Sequence, residues 1–197
     1  MKPKVSLLVL VYKNNKDLIK LMQSVEDTTN YDNYEWVIRD NSIANVGVCR
    51  GTNELLRRAN GDVFVLLNDD MYFTEKGWLE KCLEQMEEKT ILTPVIYEGR
   101  DFGPECSVCP MIFPKELYWE VGGWDENFIG YGSDDTDYII RARILGWKLK
   151  QVDIGFVHEG SVASGKVFKG GTHKLQIINN NRIQTKWGKS MGEIAND

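Results

Sequence analysis

Along the first half of the chain, short apolar runs end abruptly on polar clusters, and apolar residues at helical spacing follow them. The clearest run is Val63-Phe64-Val65-Leu66-Leu67, which begins after Gly61-Asp62 and stops at Asn68-Asp69-Asp70. A run of this kind, bounded by a Gly-Asp turn, predicts a strand buried on both faces, as in a parallel sheet covered by helices. Residues 4–11 and 34–38 predict two earlier strands, stopped by Tyr12-Lys13-Asn14-Asn15 and by Arg39-Asp40-Asn41-Ser42. Between them, Leu18, Leu21, Met22 and Val25 predict a helix over 15–28 capped by Asn15. A second helix is expected over 48–59, closed by Asn60-Gly61. A third runs through Trp78, Leu79, Cys82, Leu83 and Met86 with Thr74 as its N-cap, and residues 90–97 predict a fourth strand. This alternation is that of βαβ units over a largely parallel sheet, an α/β architecture.

Beyond residue 97 the alternation ends. Residues 98–110 read as a loop rich in Gly, Pro and Cys, followed by a short strand over 111–113 and a helix from Pro114 to Val121. Gly122-Gly123-Trp124-Asp125 and Gly130-Tyr131-Gly132 bracket a glycine-dense loop. Ser133 is placed to cap a helix over 134–145, with Gly146 as its stop. Short strands are expected over 147–152 and 154–157, the second ending on His158-Glu159-Gly160-Ser161. The remainder is polar and basic, with a helix over 174–187. No repeat, low-complexity tract or linker interrupts the chain, which reads as a single domain.

Composition narrows the possibilities. At 197 residues, 42% hydrophobic and 27% charged, the chain has the make-up of one globular domain with a substantial core. A net charge of −5 argues against a nucleic-acid binder, which would present a basic face. No signal-peptide pattern is present, and no apolar run is long enough to span a bilayer, so a cytoplasmic protein, free or peripheral to a membrane, is expected. Cys49, Cys82, Cys106 and Cys109 are too few and too scattered for a disulfide scaffold. The Cys106–Cys109 pair has no second pair to complete a zinc site, so all four read as reduced thiols, most of them packed in the core.

The polar clusters carry the candidate chemistry. A buried parallel strand delivers the residues after it to the carboxyl edge of the sheet, where open α/β folds bind ligands. Asp69 and Asp70 would repel each other there unless a cation or hydrogen-bond donors lie between them, and hard oxygen ligands suit Mg²⁺ or Mn²⁺. A polar strand-end turn explains the same residues equally well. Asp134, Asp135 and Asp137 begin a helix, where carboxylates complement the macrodipole. Three acids exceed that need, however, and their repulsion would raise the pKa of at least one, as a general base requires. His158 is a ligand only if Asp70 lies beside it, and is otherwise a hydrogen-bonded structural histidine.

The order and spacing of six segments resemble the inverting glycosyltransferases of family 2. They are Val9-Leu10-Val11-Tyr12-Lys13-Asn14, Val37-Ile38-Arg39-Asp40-Asn41-Ser42, Val65-Leu66-Leu67-Asn68-Asp69-Asp70, Gly122-Gly123-Trp124-Asp125-Glu126-Asn127-Phe128, Gly132-Ser133-Asp134-Asp135-Thr136-Asp137 with Arg141, and Val157-His158-Glu159-Gly160-Ser161. The resemblance implies a single-domain, Rossmann-like nucleotide-diphospho-sugar transferase (GT-A) fold, with a mixed, mostly parallel central sheet flanked by helices. It divides the chain into a nucleotide-binding half over about 1–97, an acceptor and catalytic half over about 98–163, and a basic tail. It implies that Val11 and Tyr12 shape the nucleobase pocket, that Asp40 accepts a hydrogen bond from the base, and that the donor is a UDP- or dTDP-sugar. Asp69 would face the ribose or a metal-bound water. Asp70 matches the metal-ligating end of the family's D-x-D motif, whose first Asp is Asn68 here, and His158 would be the second protein ligand of Mn²⁺ or Mg²⁺. Arg50 would reach the diphosphate or stand solvated. Asp135 resembles the catalytic base, with Asp134 beside it where Glu is more usual. Trp124 and Asp125 would line the sugar and acceptor pocket, a core tryptophan being the alternative.

The acceptor implied is a hydroxyl of a glycan or glycoconjugate. The chain is then either a catalytic domain cut from a longer protein or a minimal enzyme. Its basic tail (Lys166, Lys169, Lys174, Arg182, Lys186 and Lys189) is either a lid over the diphosphate or a solvated helix face. Two other classes stay open: a non-catalytic nucleotide-sugar or glycan-binding protein, and a sugar-nucleotide pyrophosphorylase. The second would carry a glycine-rich, basic loop where Tyr12-Lys13-Asn14-Asn15 stands.

Overall fold

The computed structural model describes residues 2–95, 109–130, 132–159 and 172–189. The first half follows the predicted alternation: β1 (Val5–Val11), α1 (Asn15–Thr28), β2 (Tyr34–Asp40), α2 (Val48–Arg58) and β3 (Val63–Asn68). A strand that the pattern did not announce, β4 (Met71–Phe73), follows directly after the paired acids. Next come α3 (Trp78–Glu84), β5 (Thr90–Pro94), β6 (Met111–Pro114), α4 (Lys115–Val121), α5 (Asp134–Ile144), β7 (Lys148–Val152), β8 (Phe156–His158) and α6 (Thr172–Trp187).

The main sheet runs β2-β1-β3-β6-β5-β7. The pairs β1·β2, β1·β3 and β5·β7 are parallel, and β6 runs against β3 and β5 on either side of it. The chain is therefore a mixed, mostly parallel α/β sheet with helices on both faces. Alternation along β1 explains the two layers of core. Val5, Leu7, Val9 and Val11 pack among Leu21 and Val25 of α1 and Trp78, Leu79 and Cys82 of α3. Leu8 packs with Leu55 and Leu56 of α2, Leu117 of α4, Tyr138 and Ile139 of α5, and Ile183 of α6. Cys49 and Cys82 are buried free thiols and Cys109 is half-buried and free, while Cys106 lies outside the described residues.

Several boundaries differ from expectation for local reasons. Thr74 does not cap α3, because its amide donates to the Gly155 carbonyl and the helix begins behind the left-handed Gly77. Asn14, not Asn15, occupies the N-cap position of α1. Ser133 does precede α5, but its hydroxyl donates to Asn180 Oδ1 on α6 instead of capping the helix. The expected fourth strand stops at Pro94, and residues 96–97 lie outside the described set. Over α6 the tail is a helix with one face docked and the other exposed, and Lys174 and Lys189 are among the tail's exposed residues. That helix is docked, with Ile183 fully buried and Asn179 Nδ2 donating to the carbonyls of Ile129 and Gly132. Lys166 and Lys169 lie outside the described residues.

Gly61 stands where the chain turns into β3, and a Cβ there would lie 2.7 Å from the Ser6 amide nitrogen and 2.9 Å from the Lys4 carbonyl oxygen. Both are backbone atoms that cannot step aside cheaply. Gly61→Ala is expected to destabilise the fold by about 1–3 kcal/mol, read as a lower urea midpoint at unchanged m-value.

Candidate active site

Parallel pairing sets the first corner of the site. Register places Asp40 beside Val11 and Asn68 beside Leu10, so the carboxyl ends of β2, β1 and β3 share one edge. Val11 is buried and Tyr12 half-buried at that edge. Asp69 binds the strands together: its Oδ2 accepts the Tyr12 amide at 3.1 Å and its side chain is also bonded by Asn14. Burial pushes the Asp69 carboxyl up, while those two donors work against the rise. Asp40 is exposed, and its Oδ1 accepts the Ser42 amide at 2.7 Å. The Ser42 hydroxyl and amide together hold Asp40 below its usual pKa. Arg50, with 60% of its side chain exposed, lies 3.7 Å from Glu54 one turn along α2.

The second corner exists because β4 pairs antiparallel with β8, with Met71 opposite His158. The Glu159 amide extends this ladder by donating to the Asp70 carbonyl. Pairing in this register carries His158 Nε2 to 3.0 Å from Asp70 Oδ1 across 88 residues of sequence. Asn68 Nδ2 approaches the same ring nitrogen at 3.1 Å. One imidazole nitrogen cannot donate to Asp70 and accept from Asn68 at once. The donor set, a carboxylate and an imidazole converging on one point, fits a divalent cation, with the Asn68 amide turned to present its oxygen. Asp70 is 7% and His158 33% exposed, so the pair is open on one side, where a ligand's own oxygens would complete a shell. Among the described residues no group of three His, Cys, Asp or Glu side chains forms a complete metal site.

The third corner is the start of α5. Asp134 and Asp135 are half-buried, and both carboxyls are raised above the usual range. For Asp134 the causes are burial and then the neighbouring Asp135 charge. For Asp135 burial raises the value and a hydrogen bond from Trp124 opposes it. Asp137 does not belong with them. It is 0% exposed and turned to the other side of α5, where it accepts from Arg141 Nε at 2.9 Å, Trp187 Nε1 at 3.0 Å and Lys186 Nζ at 2.8 Å.

Trp124 departs from the expectation of an open aromatic face for a sugar. Its ring is 3% exposed and stacked on Tyr138 at 3.8 Å between centroids, so it is a core tryptophan. What it offers the site is its edge: Nε1 donates to Asp135 Oδ1 at 3.1 Å. Asp125 is paired with Lys186 at 2.7 Å and also accepts from Asn127. Beside it a cavity of about 350 Å³ opens between this loop and α6, lined by Asp125, Asn127, Phe128, Arg182, Thr185 and Lys186 among others. Sequence reasoning missed Asn53, which holds the Trp124 backbone from α2, and the role of Lys186. A buried Asn on the apolar face of a helix was the available signal for the first.

The family description "Glycosyl transferase family 2" matches residues 41–116, and "N-terminal domain of galactosyltransferase" matches residues 97–160. The search of curated proteins gives no match. Among solved structures, the chain resembles the mannosyltransferase PcManGT from Pyrobaculum calidifontis, in complex with GDP-Man and Mn²⁺. The TM-score is 0.64 at 15% identity, over 78% of this chain and 55% of that one. It also resembles S. aureus TarS 1-349, with a TM-score of 0.63 at 13% identity over 92% of this chain and 72% of that one. A Drosophila β1,4-galactosyltransferase 7 mutant, in complex with manganese, UDP-Gal and xylobiose, gives 0.61 at 14% identity over 83% and 73%. At these identities the likeness to each is one of fold.

The Asp125–Lys186 pair makes stability depend on acid. Burial alone would raise Asp125, but Lys186 and Asn127 bring its pKa down to about 2. A carboxyl depressed in the folded state contributes stability above the unfolded value near 3.9 and loses it as pH falls through the folded value. Asp125→Asn should therefore cost roughly 2 kcal/mol at pH 7 and progressively less as pH falls toward 2. Urea melts of both proteins at pH 7 and at pH 3 measure the convergence.

Proposed function

We propose that this chain, which matches the glycosyltransferase family 2 description over residues 41–116 and has the GT-A fold of its structural neighbours, is an inverting, metal-dependent transferase of that family. It would move a sugar from a nucleoside-diphosphate sugar, UDP- or dTDP-linked, to a hydroxyl of a glycan or glycoconjugate. The observation that carries this reading is the meeting of Asp70 and His158 at 3.0 Å, at the sheet edge where β1 and β2 also end. The alternative of a nucleotide-sugar binder without chemistry leaves the two raised carboxyls at the start of α5 without a use. The pyrophosphorylase alternative lacks its glycine-rich phosphate loop after β1.

In this reading the nucleobase lies over Val11 and Tyr12, with Asp40 accepting a hydrogen bond from its edge. Asp70 and His158 are the residues that would hold Mn²⁺ or Mg²⁺ beside the donor diphosphate, and such an ion would supply Lewis-acid stabilisation of the leaving group's charge. Asp135 is the general base. It takes the proton of the acceptor hydroxyl as that oxygen bonds to the anomeric carbon, on the face opposite the leaving group. The bond from that carbon to the diphosphate oxygen breaks, and its electron pair leaves with the nucleoside diphosphate. Configuration inverts in the single displacement. Burial around Asp134 and Asp135 serves the base, because a carboxylate with a raised pKa is the better proton acceptor. Asp134, next to it, is itself raised by burial and by the Asp135 charge.

Two measurements test the reading. Calorimetric titration of UDP into the protein should show binding with Mn²⁺ that is lost with EDTA and weakened at least tenfold in Asp70→Asn. Binding that ignores both changes would remove the metal site at Asp70 and His158. Asp135→Asn should keep UDP affinity while turnover falls by a factor of about 10²–10⁴, the usual worth of a general base. In the unchanged enzyme, kcat/KM should fall as pH drops through the raised pKa of the Asp134–Asp135 pair, at higher pH than an ordinary Asp near 3.9 would give.

A further inference from the structure

Helix α2 reaches across from the nucleotide edge to the loop before the base, chiefly through the Asn53 side chain. Asn53, 6% exposed, accepts the Trp124 amide on Oδ1 at 2.7 Å and donates from Nδ2 to the Trp124 carbonyl at 2.9 Å. The same Nδ2 donates to Glu126 Oε1 at 3.0 Å, so both ends of the amide are satisfied. Gly123 is required by this grip: a Cβ at that position would lie 2.4 Å from Asn53 Oδ1. One turn earlier on α2, Cys49 Sγ donates to the Phe128 carbonyl at 3.4 Å, a second tie to the same loop.

From the loop to α5 the contact is equally confined. The Trp124 ring lies 9° from parallel to the Tyr138 ring, and its indole N–H points to Asp135 Oδ1. Asp135 and Tyr138 are three residues apart and so share a face of α5. One face of Trp124 thus packs on that helix and its edge donates to it, while Asn53 fixes the backbone that carries the ring. A side chain locked by packing and a double hydrogen bond is what a reacting group needs if its geometry is to hold within a fraction of an ångström.

We infer that Asn53 and Trp124 form a positioning relay that fixes the Asp135 carboxylate from α2 and aims its free oxygen at the acceptor. The inference rests on the proposed role of Asp135 as the base, and neither relay residue takes part in bond making. The indole N–H bonds the charged form of Asp135 and so favours it over the protonated form. Asp134 adjoins it on α5 and is raised by its charge, and Asp137, paired to Arg141 and Lys186, acts on Asp134 rather than on Asp135. The thiols of Cys49 on α2 and Cys109 before β6 also sense its charge, and burial holds both protonated through the neutral range.

Trp124→Phe keeps an aromatic face for Tyr138 and removes only the N–H. Against a donor and acceptor that the unchanged enzyme turns over, kcat should drop about tenfold while KM for the nucleotide sugar stays within twofold. The acid limb of kcat/KM should move to higher pH, because the anion has lost a donor. A variant with unchanged kcat and an unmoved acid limb overturns the relay. If Asp135→Asn has meanwhile lost turnover, the base assignment survives that result. If Asp135→Asn turns over normally, the base assignment fails on its own account. Should Trp124→Phe not fold, ¹⁵N-tryptophan spectra of the unaltered chain test the same hydrogen bond. One of the six indole resonances should titrate with the carboxyl pair and become flat in Asp135→Asn. The absence of any indole resonance whose pH response is lost in Asp135→Asn would also overturn the relay, since the Trp187 and Trp147 indoles sit on other carboxylates.

Discussion

A fully buried carboxylate, Asp137, organises the part of the molecule built on α5 and α6. A charge without water must be paired, and removing one partner of such a group typically costs several kcal/mol. Here the partners come from two helices: Arg141 lies one turn along α5, and Lys186 and Trp187 end α6. Satisfying Asp137 therefore requires α6 to lie against α5. Once it does, Asn179 and Asn180 reach the glycine-rich loop and Ser133 from the same helix. The loop that leads into Asp134 and Asp135 is held from behind by a charge network that touches neither of them.

This gives α5 two electrostatic sides. Toward α6, an acid is neutralised by a guanidinium, an ammonium and an indole. Toward the sheet edge, two adjacent acids are half-buried and receive one indole donor, on Asp135. The same residue type a few positions apart is thus a structural anion on one side and a raised carboxyl on the other. The difference lies in which elements face it, not in the side chain. Lys186 joins the two arrangements, since it bridges Asp137 in the core to Asp125 in the loop.

The corner where Asp70 meets His158 is built by different means. A three-residue strand after Asp70 and a three-residue strand ending at His158 pair antiparallel, and their register alone decides that the two side chains meet. A slip of one residue would turn His158 to the opposite face of that ribbon. The start of α5 depends on charge and packing, the Asp70–His158 corner on backbone register, and the sheet edge on parallel pairing of β1, β2 and β3. These constraints are independent of one another, so substitutions in one corner leave the others in place unless they reach the shared core.

Much of this was legible in the order of residues. Apolar runs ending on polar clusters gave β1, β2 and β3 and the edge they share, and for β1 and β3 the reason is that a strand buried on both faces leaves no choice of residue type along it. Helical spacing gave α1, α2 and α5 to within a residue or two. The motif segments gave the fold and the family resemblance that the family 2 description matches over residues 41–116. Tertiary structure alone decided the rest. β4 is too short to carry a pattern, and its partner lies 88 positions from Asp70. Asp134, Asp135 and Asp137 look alike in one dimension, and only the packing of α6 separates the third from the first two. Trp124 could have offered its face or its edge. Asn53 on α2 and Tyr138 on α5 settle that it offers the edge, through hydrogen bonds and stacking that join residues far apart in the chain and leave no periodic trace in it.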